Sequence, residues 1–104
     1  MSNNRVLSFK LASGEEIIAR HVREEPKHMV VSKPRVVIVQ QTGPKTLGIV
    51  GLVPWMITSP DGDIRVRIDS IVGEPDTDLA KNIEDAYLQE TSGIDLSSKI
   101  DPRS

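Results

Sequence analysis

The sequence predicts a mainly β domain, in which five or six strands with short turns form a small, strongly bent sheet or barrel, followed by one helix. Three observations carry this. Only Phe9, Trp55 and Tyr87 are aromatic, so valine, isoleucine and leucine must fill the interior, and their β-branched members favour strands. Apolar and polar residues alternate over 7–11 and again over 64–69, the period of a half-buried strand. Turn-forming residues punctuate the chain at 13–14, 42–46 and 59–63.

The first hairpin, 5–22, organises the rest. Leu7, Phe9 and Leu11 share one face, opposite Ser8 and Lys10. Ser13-Gly14 makes the turn, since glycine accepts a positive φ without steric cost. Ile17, Ile18, Ala19 and Val22 return as a more apolar strand, covered on both faces for part of its length. Residues 23–28 are polar and hold Pro26, so they read as a loop. The valines and isoleucine of 29–41 make a long strand that Pro34 must bend, bulge or place at an edge. Residues 47–57 are apolar, but Gly48, Gly51 and Pro54 suit a twisted edge. Ile64, Val66 and Ile68 alternate with Arg65, Arg67 and Asp69, and 70–73 extend that strand beyond a kink.

From Glu74 the pattern changes. Pro75-Asp-Thr-Asp78 suits a helix N-terminus, and Leu79, Ile83, Ala86 and Tyr87 fall on one face. This predicts a helix at about 76–91 that docks on the barrel or on a neighbouring subunit. Gly93 is the expected stop, and 95–104 a flexible polar tail. One domain, 1–94, accounts for everything before the tail.

Composition narrows the function. A net charge of −2 excludes a broad, non-specific polyanion binder but leaves room for a local basic site. The absence of cysteine excludes disulfides, thiolate zinc and thiol catalysis. The first five residues lack the apolar core of a signal peptide, and no segment approaches the roughly 18 apolar residues of a membrane span. The expectation is a soluble, cytoplasmic protein with no membrane partner. Ser, His and Asp occur, but no spacing singles out a catalytic set, and no glycine loop cradles a phosphate. Neither an enzyme nor a cofactor is expected. His21 has no second His or Cys at metal spacing, and Asp61-Gly-Asp63 lacks the other ligands of a calcium loop, so no metal is expected either.

Two stretches resemble the motifs of the Sm-like (Lsm) superfamily. Leu11-Ala-Ser-Gly-Glu-Glu-Ile-Ile-Ala19 is similar to the first motif, with its Ser-Gly turn between two strands, and Val66-Arg-Ile-Asp-Ser-Ile71 to the second. Residues 43–55, Leu52-Val-Pro-Trp-Met56 and 84–94 resemble the small Sm-like proteins of marine tailed phages, cyanophages in particular. The resemblance spans about 5–94. It implies a strongly bent five-stranded open barrel of the Sm-like (SH3-like barrel) type, with an extended hairpin of its third and fourth strands. It further implies a homo-oligomeric ring, closed by pairing the fourth strand of one subunit with the fifth of the next, and single-stranded RNA bound at the pore. A phage-encoded copy would work in the host cytoplasm.

The resemblance places Lys27, His28 and Arg67 at the pore as RNA-binding candidates. Arg67 could meet a phosphate or stack on a base; the alternative is a solvated outer face. His28 could stack, or simply be solvated beside Lys27. Ile64, Val66, Ile68, Ile71 and Trp55 are the subunit-interface candidates, Trp55 also reading as a stacking platform or partner anchor. The chain departs from the family at Glu25-Pro-Lys-His-Met29, where an Asp-x-x-x-Asn-like pattern is expected, and at Ile68, which replaces a glycine. Those departures favour a second expectation, a structural or adaptor module that holds a protein partner and has lost RNA binding.

Overall fold

A computed structural model describes residues 5–92. They form one antiparallel sheet of six strands, not closed, and one α-helix. β1 (Val6–Leu11) and β2 (Glu16–Glu24) make the expected hairpin, with Leu7 opposite Ala19 and Phe9 opposite Ile17. Gly14 in its turn sits at φ 105°, a conformation that strains any side chain. β3 (His28–Gly43) starts almost at once, so the loop over 23–28 is shorter than its polarity implied. Apolar partners decide this: Arg23 pairs with Val30 and Glu24 with Met29, which holds both polar residues in the ladder.

β3 is the spine of the sheet. β2 runs along one edge, while β4 (Thr46–Pro54) and β5 (Asp63–Arg67) follow each other along the other. β4 and β5 are two halves of one return path, parted by 55–62, and the sixth strand beyond the five of the expected barrel is β6 (Ile71–Gly73), split from β5. The bend lies at Lys33-Pro34. Ile18 pairs with Arg35 and Arg20 with Ser32, so Ala19 alone faces two residues of β3. This is a β-bulge, placed where proline has no N–H to give, with Lys33 at φ 52°.

Residues 70–73 do not continue β5, as their pattern suggested. A 3-10 turn, Ile68–Ser70, redirects the chain, and β6 (Ile71–Gly73) pairs with β1 instead. The sheet order is β4-β3-β2-β1-β6, with β5 beside β3. β5 and β6 therefore form the two margins of the opening, and each has one edge without a strand partner among the described residues.

Phe9, Leu11, Ile17, Ala19, Met29, Val31 and Val66 form the core on the inner face. Ile18 and Val30 alternate to the other face, yet are buried too. The second cover is α1 (Lys81–Ser92) with its lead-in: Ile18 lines a cleft with Leu79, Ala80 and Ile83. β2 is thus covered on both sides, as its apolar run predicts. The helix starts later than the expected position 76. Residues 74–80 instead run irregularly from β6 to the outer face, and extended residues advance about twice as far each as helical ones.

Docking keeps Leu79, Ile83 and Tyr87 on the covered face, as their spacing predicts, and exchanges Ala86 for Thr91. Ala86 is exposed, whereas Tyr87 and Thr91 are buried. The Tyr87 hydroxyl donates to the Lys33 carbonyl at 2.8 Å and lies 3.3 Å from that of Ser32, so the helix caps the carbonyls of the bulge. Burial pushes its phenol up to about 12. Lys33 Nζ donates to the Thr91 carbonyl at 3.3 Å. Gly93 and the 95–104 tail lie outside the described residues. No helix among the described residues is long and apolar enough to cross a membrane.

Candidate nucleic-acid interface

The tight turn into β3 and the exit of β5 meet because these two strands pair from their far ends. His28 is opposite Arg67, and one step beyond, the Ile68 N–H donates to the Lys27 carbonyl at 3.1 Å. Residues distant in sequence thereby share one hollow of about 600 Å³, lined by Pro26, Lys27, His28, Arg67, Ile68 and Asp69. All three RNA-binding candidates line it.

The charges there are partly matched already. Arg67 Nε and Nη2 donate to Asp69 Oδ1 and Oδ2 at 3.2 and 2.9 Å. The guanidinium holds the Asp69 carboxyl below its usual range, and the carboxylate raises Arg67 in turn. Both side chains are 71% exposed, so water screens the pair and it adds little stability. Glu25 is held by Arg65 at 3.0 Å and by Arg23 at 3.1 Å, and the hydrogen bond from Arg65 lowers its carboxyl. Lys27 has no ion pair among the described residues.

Such an arrangement suits a phosphate more than a base edge. Lys27 offers a charge, the His28 ring a stacking surface, and Ile68, 42% exposed, an apolar shelf. Among the described residues no Asn or Gln lines the hollow, so none of them offers the amide that would read a Watson–Crick edge.

The interface candidates scatter. Ile64, Ile71 and Trp55 are partly buried against the core, and only Ile68 is exposed. Val66 is 2% exposed within the core cluster, so its side chain is already consumed inside one chain and only its backbone reaches the β5 edge. His21 is buried, with Nε2 2.9 Å from Glu24 Oε2 and Nδ1 without a partner among the described residues. It lines a cavity of about 330 Å³ at the opening, together with Ile68, Ile71 and Glu74.

Arg35 is the residue that pattern reading missed. It is buried, and its guanidinium donates to the Pro60 carbonyl and to Asp61 Oδ1, both at 2.8 Å, with Glu90 of α1 at 3.7 Å. It clamps loop 55–62 and the helix to the bulge. The available signal was a single arginine inside an apolar run, directly after Pro34. Asp61, read as part of a turn, is in that turn and bonded to Arg35. No protein-family model matches the chain, and no curated protein matches its sequence.

Proposed function

We propose that this chain is a non-catalytic Sm-like protein that assembles with copies of itself into a ring and binds single-stranded RNA at the hollow of Lys27, His28 and Arg67. The observation that carries the reading is the open sheet: β5 and β6 each present an edge that no strand among the described residues pairs, and such edges are a hazard unless something pairs with them. Joining β5 of one copy to β6 of the next uses both edges and repeats around a circle. Counted with β4 and β5 as one interrupted strand, the order of the sheet fits the five-stranded Sm-like barrel that the two motifs suggest. The β3–β4 hairpin is then its extension and α1 an added cover.

Native mass spectrometry at micromolar concentration tests the ring. A closed multiple of the chain mass is expected, and a monomer removes the reading. Titration with U-rich and A-rich oligonucleotides tests the RNA. Comparable affinities are expected, since phosphates and stacking dominate the hollow, and both should fall with salt. Lys27→Ala and Arg67→Ala should each lower the salt slope by about one.

The second reading keeps the ring and exchanges RNA for a protein partner. It is favoured by Asp69 occupying Arg67, by Ile68 in place of glycine, and by apolar residues left exposed on the β3–β4 hairpin, Leu47 and Val50 among them. Absence of oligonucleotide binding at low salt selects it.

A further inference from the structure

We infer that the two edges meet in a single register, with Arg65 of one copy facing the partner's Glu74, and that charge and one apolar pair set it. The inference rests on the ring reading above and adds which residues touch. Along β5, Asp63, Arg65 and Arg67 are exposed while Ile64 and Val66 turn inward. Beyond the turn, Val72 and Glu74 are exposed while Ile71 packs on the core. A shift by one residue would set the inner face of one copy against the outer face of the next, so only even slips are open.

Three such slips keep at least two residues of β6 on β5. One sets the partner's Ile71 opposite Ile64 and the partner's Glu74 opposite Asp61, a pair of like charges, and two remain. In one, the partner's Glu74 stands opposite Asp63 and the partner's Ile71 opposite Val66, which is already buried. That alignment sets like charges face to face and leaves Ile68 uncovered. In the other, the partner's Glu74 faces Arg65, the partner's Val72 faces Arg67, and the partner's Ile71 covers Ile68. The ladder reaches Ile68, since its N–H still bonds the Lys27 carbonyl. Arg65 is 63% exposed and bonds Glu25 through Nε, which leaves its two terminal nitrogens for a second carboxylate. Glu74 is exposed and has no ion pair among the described residues, so none of them matches its charge.

A charge swap tests this. With the wild-type chain oligomeric by native mass spectrometry, Glu74→Arg should raise the concentration at which it dissociates by tenfold or more. The double variant Arg65→Glu with Glu74→Arg should restore assembly. Circular dichroism should stay unchanged in Glu74→Arg, because Glu74 has no ion pair among the described residues, and in the double variant, because the Arg65–Glu25 pair it gives up is exposed and screened by water. The chain lacks cysteine, so pairs can be introduced cleanly. Oxidised Arg67→Cys with Val72→Cys should give covalent multimers on a non-reducing gel, and Arg65→Cys with Val72→Cys should not. A monomeric wild type overturns the ring itself. An oligomeric wild type with Glu74→Arg unaffected, no rescue, or the second cysteine pair linking overturns this register alone.

Discussion

The two halves of β3 are built from the same residue types and meet opposite fates. Val30 and Val31 are 1% and 0% exposed, whereas Ile38 and Val39 are 39% and 52% exposed. The first half has β2 on one edge, β5 on the other, a core beneath and a helix above. The second half has β4 along its length and, among the described residues, only an open cleft where Val37 and Val39 face Leu79 and Ile83. A run of β-branched residues therefore specifies a strand, while the layers laid over it decide burial. Substitutions should separate the two halves sharply. Ile17→Ala, opposite Val36 where the layers still overlap, should cost about 3 kcal/mol in urea denaturation. Val50→Ala on the hairpin should stay within about 0.5 kcal/mol. Equal losses at both sites would mean that the hairpin is covered in solution.

The next largest effect probes the cover itself. In the unfolded chain the Tyr87 phenol ionises near 10, and in the folded chain near 12. A raised folded value means that its stabilising contribution is complete below pH 10 and lost as pH rises through 12. Thermal or urea unfolding should therefore show a loss of about 2 kcal/mol across that window. Tyr87→Phe should flatten the window and cost about 1 kcal/mol at neutral pH, from the bulge carbonyls left uncapped. A window that persists in the variant would assign it to another group.

Arg35 joins the same cover to loop 55–62. Arg35→Met should cost only about 1 kcal/mol, because Asp61 and Glu90 are exposed enough to be solvated again and the methionine fills the space. The local effect should exceed the global one, with faster proteolysis confined to 55–62. Uniform proteolysis along the chain would show that the clamp holds the whole fold.

Much of this architecture was legible before any coordinates. Alternation placed β1 and β5, the doubled apolar run of β2 forecast its two covers, and Pro34 marked the bend. What escaped depends on long-range geometry. No local pattern says that 70–73 will leave β5 to pair with β1, since that choice belongs to a partner about sixty residues upstream. The acidic run at 76–78 read as a helix cap, but the path to the outer face required extended chain there. For the site, residue types suggested Lys27, His28 and Arg67 only through a resemblance, and their meeting follows from the β3–β5 register. Arg35 was hidden because a buried arginine and a surface one look alike in a strand.

The smallest stability effect belongs to the exposed end of β5. Asp69→Asn removes one carboxylate from a pair that water already screens, so unfolding should shift by less than about 0.5 kcal/mol. The proposed oligonucleotide binding should move much more. With Asp69 neutral, Arg67 keeps its charge and loses its competitor, so an oligonucleotide phosphate gains an unshared guanidinium. Affinity should rise about three- to tenfold at low salt, and the salt slope should steepen by about one. The gain should vanish in Asp69→Asn with Arg67→Ala. An affinity unmoved by Asp69→Asn, in a chain that binds, would place the phosphate on Lys27 and leave Arg67 a spectator.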